Sequence, residues 1–257
     1  MIKKSIRIRK QPHTDCNQCP IRNMALFQGV PKERLEWTQK YREHQFVVPA
    51  KTKLYLEGSR PDYVYTLYDG WMALYQSSNS GKRQINRFAL PGDFLGFQAD
   101  ANGVISHSAI ALNESIVCGF PRATLKEMFE EQPILALRLA SMESRDMSLC
   151  QYHQTFGSRK DSHESIAFLL LELFHRTQKQ MAHDFDAETN TIVFPLTQED
   201  IGDAVGLTNV HVNRVLRQFA SEGLIECHHR KLRIIDEAKL SEISEFNVDM
   251  IAGNPLI

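Results

Sequence analysis

The 257-residue chain is 42% hydrophobic and 24% charged with a formal net charge of -1, ordinary for a globular protein and enough for one large domain or two average ones. That balance excludes a general polyanion binder, so a nucleic-acid surface has to be a local patch. No apolar run approaches the about 18 residues of a membrane helix. The basic start (Lys3, Lys4, Arg7, Arg9, Lys10) leads into polar residues rather than a secretory core. Five cysteines in such a chain point to a reducing cytoplasm, not a disulfide framework.

Residues 1–30 read as a short polar extension carrying Cys16 and Cys19. A helical pattern runs from Pro31 to Glu43. From Gln45 to Phe120 short β-type runs alternate with Gly58, Gly70, Gly81, Gly92 and Gly96. Regular short strands with Gly turns predict an antiparallel barrel or jelly roll over 31–121. Residues 122–157 turn helical, with Leu135, Leu139, Met142, Leu149 and Phe156 on one stripe and Asp146 and His153 interrupting it in register. Such a stripe needs an apolar partner, either its own barrel or the same helix of a second copy. The second copy is favoured because helix-turn-helix proteins commonly read two half-sites as dimers.

Ser158–Ser162 reads as a polar hinge opening a C-terminal domain over 158–240. A strongly apolar helix follows at Ile166–Phe174, then a polar loop and a short strand at Ile192–Phe194. The most specific signal begins at Thr197, an N-cap. Ile201, Ala204 and Val205 stripe the first helix, Gly202 permits close approach of a second, and Gly206 suits a left-handed turn. Thr208 caps the second helix, whose Val212, Val215, Leu216 and Phe219 face inward. Asn209, Val210, His211, Asn213, Arg214 and Arg217 are then left to meet DNA. Arg can donate two hydrogen bonds to a guanine edge, Asn can bond adenine, and Val210 can pack on a thymine methyl. Thr208, Arg217, Arg230 and Lys231 suit phosphates, which set register rather than sequence. Leu224–Cys227 and Leu232–Ile235 flank a basic tip, His228 to Lys231, as a hairpin wing. The tail, 241–257, carries no role in this reading.

At these residues the chain resembles the Crp/Fnr superfamily of bacterial regulators. Leu90-Pro91-Gly92-Asp93-Phe94-Leu95-Gly96-Phe97 is similar to the family's β-roll signature. Ser115–Pro121 is similar to the roll's end in the Fnr branch, and Gly206-Leu207-Thr208 with Val212-Asn213-Arg214 to the recognition helix. The resemblance implies an α+β fold: an N-terminal antiparallel β-roll of the cyclic-nucleotide-binding, jelly-roll type, a long dimerisation helix, and a C-terminal winged helix-turn-helix. It implies a dimer on a palindromic operator in double-stranded DNA, with RNA polymerase as partner if the protein activates, and no membrane.

The sensor does not transfer whole. Cyclic AMP is disfavoured, because Gly92-Asp93-Phe94-Leu95 lacks the family's Glu and His107 stands where its Arg would be. Cys16, Cys19 and Cys118 match three of the four ligands of the family's iron–sulfur cluster, while Ala25 and Phe27 occupy the spacings of the missing one. His13 and Asp15 are weak substitutes. Three readings stand side by side: an iron–sulfur cluster, a zinc or thiol redox switch, or plain packing thiols with no metal. In the recognition helix Val210 and Asn213 replace the family's Glu and Ser, and Arg214 matches. A cyclic-nucleotide-binding module acting on a partner protein is the competing function. It predicts a competent phosphate pocket and no basic wing, the reverse of what is seen. Catalysis has no foothold: His107, His153, His163 and His175 are scattered and no nucleophile–base pair stands out.

Overall fold

A computed structural model of the chain describes residues 8–12, 14–28, 30–31, 35–78, 81–98, 104–159 and 161–251. The chain divides into two units, one formed by residues 1–76 and 88–142 with 255–257, the other by 77–87 and 143–254.

In the first unit, the strands are β1 (Arg9–Gln11), β2 (His44–Val48), β3 (Lys53–Tyr55), β4 (Tyr63–Asp69), β5 (Met72–Ser77, its last residue assigned to the second unit), β6 (Arg83–Ala89, of which 83–87 are assigned to the second unit), β7 (Phe94–Leu95), β8 (Ser108–Ala111) and β9 (Ser115–Pro121). They form two sheets, ordered β1-β2-β9-β4-β7 and β3-β8-β5-β6, with antiparallel pairing. This is the expected β-roll. Leu67, Met72, Ala89, Ala109 and Val117 are fully or almost fully buried between the faces. The short strands β1, β3 and β8 escape the sequence reading. β1 is basic and exposed, and it forms only because its backbone extends the sheet beside β2.

Helix α1 (Leu35–Tyr41) precedes β2. After β9 a single helix is expected, but the chain makes a 3-10 turn (Arg122–Thr124), α2 (Leu125–Glu131), and then α3 (Pro133–Arg159). Pro133 explains the break. It forces Gln132 out of the helical region (φ -136, ψ 80) and serves as the first residue of a new helix. Leu135, Leu139 and Met142 bury against Leu26, Phe27, Phe94 and Phe120. Of the two partners the stripe allows, these residues take the barrel of their own chain. Phe156 and His153 lie where side chains are outside the described set.

In the second unit, Asp146 interrupts the apolar stripe because it holds ion pairs with Arg87 and Arg145. Helix α4 (Ser162–Gln180) is longer than expected. Its N-cap is Asp161, whose carboxylate accepts from the His163 and Glu164 amides at 2.7 and 3.1 Å. Phe168 to Leu171 and Leu173–Phe174 are buried. Two-residue β10 (Phe185–Asp186) and β11 (Thr191–Val193) lead into α5 (Gln198–Val205), α6 (Asn209–Ser221), β12 (Ile225–His228) and β13 (Lys231–Ile234). These strands form one sheet, β10-β11-β13-β12. The tail is not idle. Helix α7 (Glu237–Ser244) packs on α4, Leu240 is fully buried, and the Phe246 ring stacks on His175 at 5.6 Å.

Candidate nucleic-acid interface and a thiol-lined cavity

Helix α5 starts at a reciprocal cap. Thr197 Oγ1 accepts from the Asp200 amide at 3.1 Å, and the Asp200 carboxylate accepts from the Thr197 amide at 2.9 Å. Asp200 is buried, and Arg83 joins it to Asp203 through contacts of 2.7 and 2.6 Å, so the first helix is held from outside as well as from below. The helix ends at Gly206 with φ 74, a left-handed cap that costs Gly little. Gly202 lies where α6 approaches: a Cβ there would stand 2.5 Å from the Leu207 carbonyl oxygen.

Thr208 caps α6, accepting from the His211 amide. Ile201, Val212, Val215 and Phe219 are buried, as the stripe requires. Ala204, Val205 and Leu216 are only half-buried. The outer face carries Asn209, Val210, His211, Arg214 and Arg217, all exposed, Val210 by 78%. Arg214 has no hydrogen-bond or ion-pair partner among the described residues. Asn213 is half-buried, and its amide donates to Gln198 Oε1 at 3.1 Å. Gln198, at the exposed start of α5, was not singled out by the sequence; its place opposite Asn213 depends on how the two helices cross.

The wing turns tightly. His228 pairs with Lys231, leaving His229 (φ 51) and Arg230 (φ 59) as a two-residue turn with both in the left-handed region. Arg230 and Lys231 are exposed at its tip. Arg230→Gly is therefore expected to raise stability by about 1 kcal/mol by relieving the left-handed backbone, yet to weaken DNA binding by removing a cation. Thermal melts and gel shifts on the same protein check both halves.

Within the first unit, the three cysteines meet. Cys16, Cys19 and Cys118 line one cavity of about 40 Å3 together with Arg22, Thr38, Arg42 and Thr66. Cys16 and Cys118 are buried and Cys19 half-buried. Burial pushes all three thiols up, Cys118 to about 12, against the pull of the Arg42 guanidinium. Gln45, itself fully buried, donates to Cys118 Sγ at 3.8 Å.

Two family patterns match this chain: the cyclic nucleotide-binding domain over residues 45–132 and the Crp-like helix-turn-helix domain over 164–243. The chain belongs to the Crp/Fnr family. This Crp/Fnr protein is 28% identical over 229 residues to the nitrogen fixation regulation protein FixK of Bradyrhizobium diazoefficiens, covering 89% of this chain and 93% of that one. It is 26% identical over 242 residues to the transcriptional activator protein FnrL of Cereibacter sphaeroides, covering 94% and 95%. The solved structure of FixK2 from Bradyrhizobium japonicum superimposes with a TM-score of 0.69 at 25% identity, covering 77% of this chain and 96% of that one. The fold expected from the sequence is thus the family's fold, and the Crp/Fnr protein is a DNA-binding transcriptional regulator. No helix among the described residues is long and apolar enough to cross a membrane.

The iron–sulfur set of the family fits poorly here. The positions where a fourth thiolate would stand are filled by Ala25 and Phe27, 3% and 7% exposed and apolar. Arg42 fronts all three sulfurs. Among the described residues no three His, Cys, Asp or Glu side chains are gathered closely enough to hold a metal ion. Of the substitute ligands, Asp15 is exposed and bonded by the Gln39 amide at 2.9 Å, while His13 lies outside the described residues. The cyclic-nucleotide position is also changed: His107 is bonded to the Tyr55 hydroxyl at 3.0 Å, and Asp93 is fully buried, accepting from the Leu90 amide. Arg22, Thr38, Arg42 and Thr66, the charged and hydroxyl members of the thiol cavity, were missed by the sequence because nothing in their spacing announces that the segment around Arg22, the end of α1 and β4 meet there.

Proposed function

We propose that the regulator works in the cytoplasm as a homodimer, placing α6 of each copy in the major groove of a palindromic operator. Arg214 and Asn213 read base edges, Val210, Asn209 and His211 flank them, and Thr208, Arg217, Arg230 and Lys231 hold phosphates. The observation that carries this is the outward, unpartnered Arg214 on a helix whose opposite face, Val212, Val215 and Phe219, is fully anchored. Gln198 limits the freedom of Asn213 and orients its amide. Several relatives are named activators, and an activating role adds RNA polymerase as a partner.

Dimerisation is supported by a second face of α3. Ile134 and Leu137 are 39% and 47% exposed, and Ser141, Ser144 and Ser148 continue their row at alternating spacings of three and four. That is the spacing of a two-helix seam, and the serines allow close approach. Leu137→Glu is expected to give a monomer by sedimentation and to weaken operator binding by about tenfold or more, because two half-sites no longer act together. A Leu137→Glu protein that sediments as a dimer and binds at full strength would defeat the seam.

The signal enters, on this reading, at the thiol-lined cavity of the β-roll and acts by favouring one arrangement of the reading helices over another. An iron–sulfur cluster on Cys16, Cys19 and Cys118 is the occupant that the resemblance of these three positions to the family's ligand set implies. The missing fourth thiolate and the presence of Arg42 speak for a different one.

A further inference from the structure

The cavity of Cys16, Cys19 and Cys118 has an electrostatic problem that its thiols do not solve. Arg42 is only 6% exposed, and no carboxylate pairs with it among the described residues. A buried, unpaired cation is costly, and folds retain one where an anion meets it. The Nε of Arg42 and the hydroxyls of Thr38 and Thr66 are buried without hydrogen-bond partners. Thr38 and Thr66 are 4% and 3% exposed.

The polar lining is rich in donors: two guanidiniums, Arg22 and Arg42, donate only, each with a buried Nε that has no partner, the Thr38 and Thr66 hydroxyls can donate as well as accept, and thiols are weak donors. The other side of the cavity is apolar: Ile21, Ala25, Phe27 and Phe120. A guest that suits both halves has acceptor oxygens, a negative charge and a small apolar body.

We infer that this cavity binds a short aliphatic monocarboxylate, with the carboxylate on Arg42, Thr38 and Thr66 and the alkyl end against Phe27 and Phe120. The thiols then act as walls and weak donors. The inference rests on the reading of the cavity as the regulator's sensory site, and it names the chemistry sensed.

Acetate and propionate are titrated into the full-length protein by calorimetry, with nitrate as a planar oxyanion lacking the alkyl end. Labelling of the cysteines by a maleimide is followed in parallel. The expected result is saturable binding, propionate tighter than nitrate, and slower labelling of the cavity cysteines when propionate is bound. Arg42→Gln is expected to weaken binding about ten- to hundredfold, the value of a buried hydrogen bond to a charged partner. Because Arg42→Gln can also disturb folding, Thr66→Val is the second variant: it keeps shape, removes one hydroxyl, and is expected to weaken binding severalfold with an unchanged melt in ligand-free buffer.

Absence of saturable binding by the wild-type protein overturns the proposal, as does equal binding by Thr66→Val and Arg42→Gln variants that are folded. Nitrate tighter than propionate overturns the monocarboxylate assignment. Stoichiometric iron with a cluster absorbance in anaerobically purified protein overturns it in favour of the metal reading. Propionate binding that leaves operator affinity unchanged in a gel shift preserves the carboxylate site and removes the sensory reading instead.

Discussion

Arg214→Ala leaves the fold intact and removes sequence-specific operator binding. The side chain is exposed and holds no hydrogen bond or ion pair among the described residues, so its removal orphans no buried polar group, and the melting temperature should move little. On DNA the loss is large. A bidentate contact to a base is worth about 1–3 kcal/mol, and a dimer makes it twice, so affinity for the operator should fall by roughly two to four orders of magnitude. Affinity for random DNA should fall far less, because phosphate contacts carry no sequence information. A competition gel shift at fixed salt separates the two. An Arg214→Ala protein that keeps its preference for the operator over random DNA means that α6 does not read bases in the proposed way.

Gly202→Ala is the larger structural lesion. The added Cβ would stand 2.5 Å from the Leu207 carbonyl oxygen, a backbone atom that cannot swing aside. Leu207 is also tied to Gly202 by its amide, which donates to the Gly202 carbonyl at 2.9 Å. Either the turn opens or α6 shifts off α5. Overpacking of this kind costs about 1–3 kcal/mol, and the displaced helix should lose operator binding as well. Gly206→Ala is the control for a different cause. Nothing lies within 4 Å of a Cβ there, but the backbone has φ 74, so the expected cost is about 1 kcal/mol of conformational strain with operator binding largely kept. Chemical denaturation and gel shifts on the pair test this ordering; a Gly206→Ala protein more damaged than Gly202→Ala reverses it.

The two glycines also show why the reading domain was legible in advance. A cap, a small residue at a contact, a left-handed turn and an inward stripe are all local, and the fold obeys the first three in full and the stripe at Ile201, Val212, Val215 and Phe219. The long helix was less legible. Its stripe of Leu135, Leu139 and Met142 states that an apolar partner exists, but periodicity does not say which one, and the partner proved to be the residues around Phe27 and Phe120. The row that faces outward, Ile134, Leu137 and the serines, is too polar to be noticed as a pattern. The break at Pro133 went unread: the sequence reading ran one helix through it. Least legible was the thiol cavity's polar half. Thr38 and Arg42 come from the end of α1 and Thr66 from β4, so their meeting depends on chain topology, and composition around Arg42 resembles any solvated helix end.

The packing of α7 against α4 has a practical corollary. Leu240 and Phe246 belong to the interior of the DNA-reading unit, and Phe246 covers both Phe168 and His175. A fusion partner or affinity tag joined directly behind the wing, in place of residues 236–250, would strip a layer from the hydrophobic centre and mimic a loss of operator recognition. Joined beyond Met250, the same appendage leaves that layer in place.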